Sequence, residues 1–240
     1  MIDEKDLSEQ KKWLFRCWGE KAVEKLRKKR VEAYFAPNIS EACSTILNMI
    51  PEKSVIGFAD SVTLHQIGIF ERLNERNPKE VVRPIVWNSE GYLIYEREER
   101  RALEQKVLTS DVYICGVNAI TLDGKIVSTD GLGNRVAPMI YGPRRTIIVA
   151  GANKIVPDVE AARDRIRRIC APLNARRHSE KHHNKRHGSL PCARTGFCVD
   201  CNLPERICCF TVIIENTAIG ISGGREEPKN VVIIGDELGI

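Results

Sequence analysis

Five cysteines fall within 18 residues near the C-terminal end of the chain, as Cys192-x5-Cys198-x2-Cys201-x6-Cys208 with Cys209 adjacent. A Cys-x-x-Cys pair lets two thiolates converge on one metal centre from a tight turn, and flanking cysteines can complete a four-sulfur site. Thr195-Gly196 and Asn202-Leu203-Pro204 supply the turns. The intervening Ala193 to Ile207 has few large apolar side chains, so such a loop gains most from a metal that fixes it. Structural zinc usually uses two close pairs. One close pair flanked by Cys192 and Cys208 leans instead toward an iron–sulfur cluster of the 4Fe-4S type, with zinc or no metal as the alternatives. Cys17, Cys43, Cys115 and Cys170 are scattered, as ordinary core or surface thiols are.

A second constellation lies between Asp111 and Lys154. Asp123 and Asp130 are carboxylates that could transfer a proton, and Arg135 and Lys154 are cations that could hold a substrate carboxylate. Asn118, Asn134 and Asn153 accompany them. Gly131 and Gly133 allow backbone N–H groups to approach a ligand closely. Turn formation alone also explains each of these residues. The glycine pattern lacks the third glycine and the strand-to-helix order of a dinucleotide fingerprint, and no Walker loop occurs. No nucleophile–base pair is visible that would decide between an enzyme and a binding protein.

The elements that must position these groups follow from hydrophobic patterning. Residues 6–30 have helical spacing and end in a basic run, Val31–Ala36 reads as a strand, and a helix follows to Ile50, capped by Asn38 or Ser40. Ser54–Ala59 is a buried strand. Asp60-Ser61-Val62-Thr63 then opens a helix to about Asn74, with Asp60 or Ser61 as its cap, and His65 is a packed or exposed helix residue. Val81–Trp87 predicts a strand and 89–107 a charged crossover helix. Val112–Val117 and Thr146–Ala150 are short apolar runs typical of strands buried on both faces. Asp123-Gly124 predicts a type I′ hairpin between Ala119–Leu122 and Lys125–Thr129. Pro157 starts a helix to Cys170, and the basic, histidine-rich 176–187 reads as a solvated loop. Strands at Ile207–Glu215 and Asn230–Gly235 close the chain. Alternating strands and helices argue for an α/β protein with a largely parallel sheet and flanking helices, plus a cysteine-rich insertion. Three strand ends then deliver the polar groups of the central stretch to one carboxyl edge, where ligands bind in open α/β sheets.

The 240 residues are 42% hydrophobic, enough to bury a sizeable core. No run of about 18 apolar residues predicts a membrane span, and the charged N-terminus does not read as a secretory signal. The expectation is a cytoplasmic protein whose cysteines remain thiols or metal ligands. A net charge of +5 is too small to point to nucleic acid.

The blocks GVNAITLDGKIVSTDGLGNRVAPMIYGP, IIVAGANKIV and PCARTGFCVDCNLPERIC together resemble the LUD-domain family, named for lactate utilisation, over about Val55 to Gly239. The resemblance implies a fold similar to the CoA-transferase and ribose-phosphate-isomerase group and a link to oxidation of L-lactate to pyruvate. It also implies that Asp60, Ser61 and Thr63 belong to the ligand cleft. Expected partners are a small anionic ligand, iron–sulfur oxidoreductase subunits and further copies of the chain. The expected organisation is an N-terminal helical region over 1–50, an α/β LUD domain over 51–175 and 207–240, and a His-rich, Cys-rich insertion over 176–206. The alternative is a non-redox anion-binding or assembly protein with structural zinc.

Overall fold

A computed structural model describes residues 4–218 and 227–240; residues 219–226, within the expected 207–240 segment, lie outside the described residues. In chain order the strands are β1 (Glu32–Ala36), β2 (Val55–Phe58), β3 (Glu80–Val82), β4 (Val112–Gly116), β5 (Ala119–Thr121), β6 (Ile126–Asp130), β7 (Arg145–Gly151), β8 (Ile155–Val156), β9 (Phe210–Ile214) and β10 (Lys229–Ile234). The helices are α1 (Ser8–Lys28), α2 (Ile39–Asn48), α3 (Val62–Gln66), α4 (Ile69–Arg72), α5 (Arg97–Val107), α6 (Val136–Ile140), α7 (Val159–Arg165), α8 (Ala171–Lys181), α9 (Lys185–Gly188) and α10 (Pro191–Thr195).

Six strands form one all-parallel sheet in the order β1-β10-β7-β4-β2-β3. Every residue of β4 and β10 is buried, which is why Val112–Cys115 and Val231–Ile234 are apolar without alternation. One face packs on α2, α3 and α4 through Ile46, Leu64, Ile114 and Ile147, and the other packs on α1 through Leu26, Tyr113 and Ile148. A smaller sheet, β8-β5-β6-β9, lies beyond the carboxyl ends of the central strands. β4 runs into it through Val117-Asn118, and β7 through a 3-10 turn at Ala152–Lys154. Two neighbouring strands of the large sheet thus feed the small sheet at one level.

Local chemistry accounts for the helix starts. Asn38 Oδ1 accepts from Glu41 N at 3.0 Å, Ser61 Oγ from Leu64 N at 3.4 Å, and Asp158 Oδ1 from Ala161 N at 2.8 Å. Gly19 lets α1 sit directly on the Phe35 ring, since a Cβ there would collide with it. The first fifty residues therefore contribute a helix, a strand and a helix to the main layer and do not stand apart as a helical region.

Several expectations are corrected. The helix expected from Val62 to Asn74 breaks at Gly68, whose φ of 65° is left-handed, into α3, α4 and a 3-10 turn. The strand expected over 81–87 stops at Val82, two residues before Pro84, which has no N–H to donate to a ladder. The helix expected from residue 89 begins only at Arg97, because Asn88 Oδ1 accepts from the amides of Glu90 and Tyr92 and folds that stretch into a turn. The Asp-Gly hairpin exists between β5 and β6, but its turn is not type I′: only Gly124 has positive φ (82°), and its N–H donates to Thr121 O at 2.9 Å. A type I′ turn needs positive φ at both central residues; here one glycine completes a bulged three-residue turn. The helix expected to end at Cys170 continues through a π-helical turn (Ile166–Cys170) into α8, so the expected loop over 176–187 is largely helix. Burial decides this, since Trp87 stacks on His182 with ring centroids 3.6 Å apart.

The central strand β7 carries the packing of both faces. Ile148 is fully buried, so Ile148→Ala should lower stability by about 2–5 kcal/mol in urea unfolding, the usual cost of truncating a core side chain.

Candidate functional site

The carboxyl ends of β2, β4 and β7, adjacent in the large sheet, open onto a cavity of about 750 Å³ that is also lined by the 130–135 loop, by α8 and by residues 204–209. Asp60, Ser61 and Thr63 follow β2, Asn118 follows β4, and Lys154 follows β7; all five line it. Asp130, Gly131, Asn134 and Arg135 line it from the end of β6. Asp123, Gly133 and Asn153 do not. Asp123 sits at the tip of the β5–β6 hairpin with its carboxylate 3.3 Å from Lys125 Nζ, which removes it from any proton transfer in the cavity. Asn153 turns its side-chain oxygen to Leu238 N at 3.0 Å and anchors the C-terminal segment.

Asn118 is the hub of this floor. Its Oδ1 accepts from Thr129 N at 2.8 Å and from an Arg135 guanidinium nitrogen at 3.0 Å, and its carbonyl accepts from Arg165 at 2.9 Å. Asp130 is spent on the backbone: its oxygens accept from the amides of Gly133 at 2.5 Å, Arg135 at 2.9 Å and Val136 at 3.0 Å. This carboxylate shapes the glycine loop through three backbone amides, a structural task that competes with the proton-transfer role expected of it. Arg135 also donates to Thr129 O, yet its Nε is buried with no partner among the described residues. An orphaned guanidinium N–H is costly unless a ligand meets it.

Six arginines and Lys154 line the cavity against two aspartates and two glutamates. Three of those acids are already engaged, since Asp60 pairs with Arg177 at 2.7 Å, Glu104 accepts from Asn134 at 2.9 Å, and Asp130 holds the loop. Burial alone would raise the Asp60 carboxyl, but His65 beside it and the Arg177 guanidinium outweigh that and hold it well below the usual carboxylate range. Among the described residues Lys154 has no acidic partner: Nζ donates to Thr63 Oγ1 at 2.9 Å and Val117 O at 3.1 Å. Burial first, and then the positive charge of Arg165, lower it to about 7. The cavity is therefore positive where a ligand would lie.

Trp87, Arg177, His178 and His187 also line the cavity, and composition did not single them out. The available signal was the i, i+4 spacing of His178 and His182, which places both rings on one side of a helix. His178 packs on His182 and His187 with ring centroids 5.4 and 5.2 Å apart. Burial, with Arg177 nearby, depresses His178 to about 3.

Of the cysteines, Cys170, Cys208 and Cys209 reach the main cavity, and Cys198 and Cys208 line a smaller one of about 130 Å³ beside it. Cys192 and Cys201 pack with Ile207 around Leu190. The Cys198–Cys201 turn is a thiolate knuckle in form, with Asp200 left-handed (φ 49°) and its N–H directed at Cys198 Sγ at 3.4 Å. Burial, followed by the neighbouring thiols, pushes Cys192 up. Cys208 is raised by burial and by Cys198 and Cys201, against Arg206. The four thiols thus share one neighbourhood. Among the described residues, no three His, Cys, Asp or Glu side chains converge tightly enough to hold a metal as they stand.

The fold and cavity define an α/β protein with an arginine-lined pocket between a parallel sheet and a smaller sheet. The LUD-domain profile matches residues 19–234, and the chain belongs to the LUD-domain family. Among solved structures it is similar to a DUF162 family protein from Deinococcus radiodurans, at 11% identity and a TM-score of 0.45 over 93% of this chain and 98% of that one. It is also similar to ribose 5-phosphate isomerase A from Neisseria gonorrhoeae, at 16% identity and a TM-score of 0.32 over 56% and 62%. No curated protein matches it. Among the described residues no helix is long and apolar enough to cross a membrane.

The histidine cluster makes the pocket wall acid-sensitive. The unfolded chain takes up a proton at His178 near the ordinary value of 6.5, whereas the folded chain resists it down to about 3, so stability should fall as pH drops through that interval. Urea midpoints measured between pH 7 and pH 4 should show this slope, and His178→Gln should flatten it.

Proposed function

We propose that the protein is a lactate-utilisation component that binds a small carboxylate- or phosphate-bearing ligand in the cavity between its sheets. The observation that carries this reading is the excess of guanidinium groups around the buried, unpartnered Nε of Arg135. Arg97, Arg100 and Arg186, also without acidic partners among the described residues, stand on its walls and draw anions inward. Arg135 then supplies the fixed contact, held in place by Asn118 and by the Asp130-ordered loop. The cavity is large for lactate alone and lies in the usual range for ligands several times that size.

Cys192, Cys198, Cys201 and Cys208 are the donors that would hold a thiolate-bound centre, with Cys209 a fifth thiol on the cavity side. Four thiols share one neighbourhood, and the crowding that raises the proton affinity of Cys192 and of Cys208 is what a cation relieves. An iron–sulfur cluster there would supply one-electron transfer next to the ligand, in concert with partner oxidoreductase subunits and in further copies of the chain; zinc would supply only a clip for the loop. Arg206 donates to the carbonyls of Cys201 at 2.8 Å and Cys208 at 3.2 Å and so ties the two ends of the segment together whichever metal is held.

Two experiments test this. Calorimetry with lactate, pyruvate and a sugar phosphate should detect binding of at least one anion, and Arg135→Ala should weaken it about tenfold to a hundredfold, the weight of a charge-assisted contact. An unchanged affinity sinks Arg135 as the anchor. Protein purified without air should carry stoichiometric iron and sulfide, or zinc; Cys201→Ser should lose the metal and Cys43→Ser, a core thiol, should keep it. Metal-free protein under those conditions removes the proposed centre.

A further inference from the structure

Lys154 does not have the surroundings of a simple anion anchor. It is 3% exposed, yet it lines the cavity. Its two hydrogen bonds go to a hydroxyl and a carbonyl, Thr63 Oγ1 and Val117 O. An ammonium has three N–H groups to place, and no third acceptor stands near Nζ among the described residues. A neutral amine has two, and both are accounted for, which leaves its lone pair unshared. The backbone of Gly239 closes off another side, since a Cβ built there would lie 2.6 Å from Nζ. The charged and titratable groups that act on Nζ are Arg165, Cys170 and Arg135, none of them a carboxylate. Two guanidiniums beside a dry amine disfavour its protonated form, as the depressed value of about 7 reflects.

We propose that Lys154 is a carbonyl-reactive amine, whose Nζ adds to the carbonyl carbon of a small anionic aldehyde or 2-oxo acid held by the neighbouring guanidiniums. The proposal rests on the anion pocket described above and adds the chemistry of its occupant. In the step a C–N bond forms as the C–O π bond opens. Both amine hydrogens then leave with the carbonyl oxygen as water, and the product is an imine. No oxidant or reductant is consumed. The anionic end of the ligand meets Arg135 Nε, and the carbonyl end meets Lys154. Such an imine withdraws electrons from the ligand carbon next to it and so supports proton transfer or carbon–carbon bond change there.

The test uses full-length protein treated with sodium cyanoborohydride and either glyoxylate or glycolaldehyde phosphate, read by intact mass and peptide mapping. The expected result is one adduct on Lys154, with a mass gain equal to the carbonyl compound less one oxygen. Its rate should rise through about pH 7. Whichever of the two reagents labels faster identifies a carboxylate or a phosphate as the anionic end. Lys154→Met, chosen to keep the buried stem, and Lys154→Arg should both reduce labelling at least tenfold. Labelling spread over surface lysines with Lys154 untouched overturns the proposal, and the wild-type peptide map shows this even if a variant fails to fold. Labelling of Lys154 no faster with either glyoxylate or glycolaldehyde phosphate than with uncharged acetaldehyde also overturns it, by removing the anionic class. If lactate or a sugar phosphate binds in calorimetry while Lys154 stays unlabelled, the anion pocket stands and the amine chemistry falls.

Discussion

The two sheets meet at Lys154. Its Nζ reaches across from the end of β7 to the carbonyl that ends β4 and to the hydroxyl that opens α3 after β2, so three neighbouring strand ends are held at one level by one side chain. Everything that lines the cavity depends on that level. β4 and β7 can pass from a parallel sheet into a mixed one only where their backbone groups find new partners. At the β7 crossing Ala152 N donates to Asp236 O, and at the β4 crossing Arg165 donates to Asn118 O and Lys154 to Val117 O. A charged ammonium there would keep an unsatisfied N–H in a dry site between two guanidiniums, so the same geometry that joins the sheets lowers the proton affinity of the amine.

A second constraint follows from how positive charge is stored in the cavity. Buried guanidiniums are tolerated only when most of their N–H groups are used. Arg165 spends its donors on Asn118 O and the Cys170 thiol, and Arg177 spends its own on Asp60 and Asn174. Arg135 keeps its buried Nε–H unspent. Among the described residues it is the arginine of this floor with a buried donor left over, which is why binding energy is expected to concentrate there and to be modest at the rim, where exposed charges are screened.

The cysteine segment is coupled to this cavity by position. Cys208 lines both the main and the smaller cavity, and Arg206 ties its carbonyl to that of Cys201 at the end of the knuckle. Its own core is small, built on Ala175, Leu190 and Ala193 with two of the cysteines packed against it. A segment with so little apolar burial gains order from metal binding, from the ligand or from both, and its state is expected to follow the occupancy of the pocket.

Read alone, the sequence determined the α/β class, the mostly parallel sheet, the apolar strands at Val112 and Thr146, the glycine loop after Asp130 and the grouping of five cysteines. These depend on patterns local enough to survive without tertiary contacts: an unbroken apolar run, a glycine where φ must be positive, a CxxC turn. The tertiary structure decided what those groups do. Asp123 and Asp130 look alike in sequence, yet one faces Lys125 at a hairpin tip and the other is consumed by three backbone amides. Residues 176–187 have the charge of a solvated loop, but Trp87, brought from some ninety positions earlier, stacks on His182 and makes the stretch a half-buried helical wall. The Asp60–Arg177 pair joins groups separated by 117 positions, a distance over which sequence spacing carries no geometric information. Local patterns set which backbone each segment can adopt; which side chains lose water together, and so which charges are paired, shifted or left unsatisfied, is a property of the packed molecule alone.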